Sequence, residues 1–169
     1  MSFQTHRFRV AAAAVGLTLG ISAAHAADSG PSTPGKPDTL AAARAQIAAK
    51  NWPGAVEELK RLNDADSADW NNLMGYSLRK CAATDYAGAE KFYSEALRIE
   101  PQHRGALEYS GELYLITNNL PQAEARLHSL DKACRLPCAE YTALKKSVER
   151  YKANGNKYVA TEGSATRTW

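Results

Sequence analysis

Apolar side chains recur every three or four positions between Thr39 and Tyr151, which is the spacing of residues on one face of an α-helix. Short polar or proline-containing stretches interrupt this pattern. The pattern therefore predicts seven amphipathic helices, the last of them running from Ala139 to Tyr151. The sequence thus favours an all-α fold.

Part of this pattern repeats along the chain. Ala55, Ala89 and Ala123 lie 34 residues apart, and each is followed by larger or apolar residues four and seven positions later. A period of 34 residues with helical internal spacing is typical of stacked helix–turn–helix units. Such units bury little surface alone and gain stability from stacking on their neighbours.

Two glycines do not share the 34-residue spacing of these alanines. Gly75 and Gly111 are 36 residues apart, whereas the alanines are 34 apart. Two extra residues must therefore lie between Gly75 and Ala89. We expect them in the turn at Cys81 to Thr84.

These positions resemble the tetratricopeptide repeat (TPR) family. The middle repeat supplies Gly75, Ala89, Tyr93, Ala96 and Pro101. The next supplies Leu107, Gly111, Tyr114, Ala123, Leu127 and Leu130. The first is degenerate, with Ala43, Ala55, Leu59 and Leu62 and no proline. The resemblance implies a right-handed superhelical array of about three repeats at 38–67, 68–101 and 102–132. A cysteine junction and a last amphipathic helix follow at 133–154, and such a helix is what an array needs to cap its exposed end.

The family binds proteins or peptides on its concave face, which the first helix of each pair lines. The resemblance places these residues there: Arg44, Asn72, Tyr76, Arg79, Glu108 and Glu112. The family's carboxylate clamp uses Lys and Asn, so Glu108 and Glu112 would repel a peptide carboxylate. An acidic step beside Tyr76 and Tyr114 would suit a basic or amine-bearing segment. The alternative is that both glutamates are solvated surface charges.

The N-terminus has the pattern of a secretory signal peptide. A basic start, an apolar run and Ala24-His25-Ala26 predict cleavage after Ala26 and a periplasmic or secreted protein, with no membrane insertion after removal of residues 1–26. Residues 27–37 are rich in Ser, Pro and Gly and predict a disordered linker. Residues 155–169 lack a helical stripe and predict a flexible tail.

The chain has three cysteines, Cys81, Cys134 and Cys138. In an oxidising compartment Cys134 and Cys138 could form a disulfide that fixes the last helix, leaving Cys81 unpaired. The alternative function is a thiol- or metal-handling accessory protein that uses Cys134 and Cys138. Two thiolates and a distant His128 are too few ligands for zinc, so no metal site is predicted.

Charge and motifs argue against several other classes. Loss of Arg7 and Arg9 with the signal leaves 19 basic residues (21 less 2) against 18 acidic residues. This nearly neutral net charge does not favour nucleic acid or an anionic membrane as a partner. No catalytic or phosphate-binding motif occurs, so we expect neither an enzyme nor a cofactor. The prediction is a scaffold with a protein or peptide partner.

Overall fold

The structure is a computed structural model that describes residues 38–159. Residues 38–159 form seven α-helices and no strand, and they belong to one compact unit. The helices are α1 (Ala41–Ala48), α2 (Trp52–Leu62), α3 (Ala68–Lys80), α4 (Tyr86–Ile99), α5 (Arg104–Ile116), α6 (Leu120–Ala133) and α7 (Ala139–Ala153). The predicted signal peptide and linker, and tail residues 160–169, lie outside the described residues.

The helices form three antiparallel hairpins that stack in chain order. The paired helices are α1 with α2, α3 with α4, and α5 with α6, and α7 packs against α5 and α6. The first helices also contact each other, α1 with α3 and α3 with α5. This arrangement confirms the predicted all-α helical repeat array.

The second helix of every hairpin begins at the same kind of cap. The side-chain oxygens of Asn51, Asp85 and Asn119 accept hydrogen bonds from backbone N–H groups three residues later, at 3.2, 2.8 and 3.4 Å. Each bond satisfies a donor that the first helical turn leaves unpaired. In α1, Leu40 occupies the cap position without a side-chain hydrogen bond, and the Asp38 side chain accepts the Leu40 N–H.

The turns inside the hairpins confirm the two-residue insertion. Residues 49–51 and 117–119 separate the paired helices of the first and third hairpins, whereas residues 81–85 separate those of the second. The shorter turns also share a left-handed residue, with φ of 57° at Lys50 and 58° at Asn118. The longer middle turn has no such residue.

Small residues lie where the helices cross. Ala55, Ala89 and Ala123 are fully buried. A Cβ on Gly75 would lie 3.0 Å from the backbone oxygen of Ala89, so this position tolerates only glycine without a shift of the backbone. The close approach of helices at these points brings the larger side chains into two buried apolar clusters.

The chain after α7 turns back onto the array. Tyr158 packs against the second apolar cluster, which includes Leu107, Leu115 and Leu144. This packing differs from the flexible tail predicted for residues 155–169, and burial raises the pKa of the Tyr158 hydroxyl. Val159, the last described residue, is exposed.

Candidate functional site: the face of the first helices

A polar cavity of about 420 Å³ lies along the first helices of the three hairpins and reaches α7. Its lining includes Arg44 of α1, Asn72 of α3, Glu108 and Tyr109 of α5, and Glu140 of α7. Residues more than 90 positions apart in sequence thus meet at one surface, because successive hairpins stack with their first helices side by side.

A hydrogen bond and an ion pair tie the three hairpins together at the edge of this cavity. Asp69 accepts a hydrogen bond from His103 Nε2 at 3.0 Å, and Arg44 Nη2 lies 3.6 Å from the other carboxylate oxygen. His103 Nδ1 accepts the Ala106 N–H at 3.0 Å, which places the ring proton on Nε2. The hydrogen bond from His103 is the main cause that lowers the pKa of Asp69.

Asp69 and His103 were not among the predicted site residues. They lie 34 positions apart, two fewer than the 36 that separate Gly75 from Gly111, so they are not equivalent positions. The equivalent of His103 is Ser67, which caps α3 as His103 caps α5, and the repeat period alone would not have paired His103 with Asp69.

A buried ion pair occupies the opposite end of the first helices. Arg79 Nη2 donates to Glu112 Oε2 at 2.9 Å, and both side chains are almost completely buried. The Arg79 guanidinium also lies 5.6 Å from the ring centre of Tyr76 and 5.8 Å from that of Tyr109. These rings supply cation–π contacts, so Arg79 is held on several sides.

Three polar atoms around the cavity lack a hydrogen-bond partner. They are Arg44 Nε, Asn72 Oδ1 and Glu140 Oε2, and each is shielded from solvent. Buried polar groups are usually paired in native proteins. Unpaired groups at a cavity are therefore where a ligand would gain hydrogen bonds.

Comparison with known families agrees with this architecture. A tetratricopeptide repeat family model matches residues 81–148, which span α4, α5, α6 and most of α7. The chain contains tetratricopeptide repeats. TPR proteins are typically non-catalytic scaffolds for protein–protein interaction. No curated protein matches the chain.

The TPR array brings Arg44, Asn72 and Glu108 to the cavity, while Arg79 and Glu112 are paired with each other. Tyr76 is buried, with its ring 4.6 Å from that of Tyr109. The partner-binding role of these six residues stays a prediction.

The predicted acidic step in the groove of the TPR array needs three corrections. Glu108 and Glu112 are only 1% and 4% exposed, so the alternative that they are solvated charges is wrong. Arg79 neutralises Glu112, which removes half of the predicted acidic step. Tyr114 donates to Glu90 of α4 at 3.0 Å and thus faces the second helices rather than the predicted step.

The cysteines lie beyond the third TPR hairpin, apart from Cys81. The sulfur atoms of Cys134 and Cys138 are at disulfide bonding distance, with their Cα atoms 5.9 Å apart. Cys138 Sγ also accepts the Tyr141 N–H at 3.5 Å and so caps α7. Cys81 is a free thiol, and burial raises its pKa.

Two further observations concern the part of the TPR chain that the structure describes. Between residues 38 and 159 no group of three or more His, Cys, Asp or Glu side chains is arranged to hold a metal ion. None of the helices in that range combines the length and the hydropathy that crossing a bilayer requires.

Proposed function

We propose that this chain is an exported TPR adaptor that binds a protein or peptide segment along the first helices of its hairpins. The observation that supports the proposal is the polar cavity, to which Arg44, Asn72 and Glu108 come from three successive hairpins. A segment lying across this surface would contact all three hairpins at once. Because the surface exists only in the stacked array, binding would also stabilise the stacking.

A photo-crosslinking amino acid at Gln102 tests where the partner binds. Gln102 is exposed and lines the cavity, so substitution there disturbs little packing. The matched control carries the same crosslinker at Glu95, a half-buried residue of the second helix α4 that does not line the cavity. We expect an adduct with a defined partner from position 102 and none from position 95.

Equal adducts from both positions, or none from position 102, would contradict the groove as the binding surface. Glu112 is unsuitable as a probe, because its replacement would leave Arg79 buried and unpaired. Loss of binding in that variant would report misfolding rather than loss of a contact.

The export part of the proposal rests on the pattern of residues 1–26. Cell fractionation followed by N-terminal sequencing tests it. The expected result is an exported chain that begins at Ala27. An intact chain beginning at Met1 in the cytosol would contradict it.

The alternative, a thiol- or metal-handling accessory protein, depends on Cys134 and Cys138, whose sulfur atoms lie at bonding distance. Mass spectrometry of the purified native protein separates the two functions. A stable intramolecular bridge favours a structural role that fixes α7. Bound copper or a mixed disulfide favours redox or metal chemistry.

A further inference from the structure

We infer that the polar cavity is a subsite for a cationic group, the ammonium of a lysine or the guanidinium of an arginine carried by the partner. This inference deepens the proposed function and rests on it. It places the recognition of positive charge at Asn72 and Glu140, away from Glu112.

Two unpaired acceptors at the cavity require a hydrogen-bond donor. Asn72 is only 3% exposed, yet its Oδ1 atom has no hydrogen-bond partner. Glu140 Oε2 is likewise shielded and unpaired, and both residues line the cavity. Because a buried acceptor without a donor is unfavourable, a ligand N–H group would gain more here than at an open surface. Ammonium and guanidinium groups carry several N–H donors and no acceptor.

The charges around the cavity favour the same class of ligand. Four carboxylates and two guanidinium groups line it: Asp69, Glu100, Glu108 and Glu140 against Arg44 and Arg104. His103 adds no positive charge in this arrangement, because its Nδ1 accepts a backbone N–H. The net charge of the side chains that line the cavity is therefore negative.

The positively charged side chains already present do not reverse this negative net charge. Arg44 lies between two carboxylates, 3.6 Å from Asp38 and 3.6 Å from Asp69. Its Nε atom makes no hydrogen bond, but this atom already forms the ion pair with Asp38, and an incoming anion would meet both acids. At the other end, Glu112 is paired with Arg79 and offers no free charge.

A pair of short peptides tests the subsite on the full exported chain. The probes are acetyl-Gly-Ser-Arg-Ser-Gly-amide and the same peptide with citrulline, which keeps the shape of arginine without its charge. NMR titration of the ¹⁵N-labelled protein follows the Asn72 side-chain amide. We expect the arginine peptide to shift this resonance and to bind about tenfold or more tightly than the citrulline peptide, as loss of a charge-assisted hydrogen bond predicts.

Two substitutions in α7 test whether Glu140 supplies the carboxylate that binds the cation. Glu140→Gln should weaken binding of the arginine peptide about tenfold and leave the citrulline peptide unaffected. Glu149→Gln is the matched control, since Glu149 is an exposed residue of α7. It should bind both peptides as the unmodified protein does. A melting curve for each variant separates loss of binding from loss of folding.

Several results would overturn the inference. Equal binding of the arginine and citrulline peptides, or tighter binding of a peptide with glutamate in that place, excludes a cation subsite. If no arginine peptide shifts the Asn72 resonance while crosslinking from Gln102 succeeds, the subsite is wrong and the groove function stands. If both experiments fail, the proposed function fails with it.

Discussion

Arg79 and Glu112 form a buried ion pair at 2.9 Å that joins α3 to α5, the first helices of two successive hairpins. The residues are 33 positions apart, close to one repeat, so the stacking of the hairpins brings them together. The pair therefore reports on the interface between the second and third repeats.

Breaking this pair should destabilise the protein strongly. Glu112→Gln or Arg79→Met should lower the free energy of unfolding by about 3–5 kcal/mol, because each leaves a buried group without its charged partner. The double variant Arg79→Met with Glu112→Leu should recover most of the loss. Urea unfolding of all three variants measures these effects.

The matched control is the exposed pair of Glu95 and Arg98 on α4. Replacement of Arg98 by Met with Glu95 by Leu should leave the unfolding midpoint unchanged, since exposed ion pairs are screened by water. Equal losses at the buried and exposed pairs would show that Arg79 does not hold the repeats together.

The glycine at the centre of α3 should resist replacement by alanine. Alanine favours a helix over glycine by about 1 kcal/mol, yet Gly75→Ala should destabilise the protein by about 1–3 kcal/mol. The reason is that the added Cβ would lie 3.0 Å from the backbone oxygen of Ala89 and 2.9 Å from the Tyr93 ring.

Ala125→Gly on the exposed face of α6 is the control for helix propensity alone. It should cost about 1 kcal/mol in thermal or urea unfolding. A stabilising effect of Gly75→Ala would mean that α3 and α4 do not approach as closely as described.

Stability should fall in acid partly through Asp69. Its pKa lies below the ordinary value of 3.8, mainly because His103 donates a hydrogen bond to it. A carboxyl group with a lowered folded-state pKa stabilises the protein above its unfolded pKa, and this contribution disappears as pH falls through the folded value. The contribution of Asp69 should therefore be complete at about pH 6 and lost toward about pH 2.

Asp69→Asn isolates this contribution from those of other acids. At neutral pH the variant should unfold at lower urea concentration than the parent, and the difference should shrink steadily below about pH 4. A difference that stays constant down to about pH 2 would show that the Asp69 charge does not stabilise the fold.

Reduction should loosen the junction before α7. A bridge between Cys134 and Cys138 closes a very short loop, for which chain entropy gives about 2 kcal/mol of stabilisation. A reducing agent should lower the free energy of unfolding by about that amount, while a Cys134→Ser, Cys138→Ser variant should not respond. Cys81→Ser is the control, and it should respond to reduction as the parent protein does.

The repeat pattern in the sequence predicts where the helices lie and the order in which the hairpins stack. The 34-residue period and the offset of Gly75 from Gly111 located the hairpins and the longer turn at 81–85, and both are confirmed. Such features are encoded locally, because helical spacing, caps and small crossing residues depend on neighbours within a few positions. The sequence by itself therefore determined an all-α repeat array.

Only the tertiary structure decided what the lining residues contact. Periodicity places Arg79, Glu108 and Glu112 on the first helices, but it cannot say that Arg79 neutralises Glu112 or that both glutamates are buried. It also missed the packing of Tyr158 against the second cluster. These contacts join residues from different hairpins or from beyond the last helix. They depend on how the hairpins stack and where the chain turns back, and no local spacing encodes either.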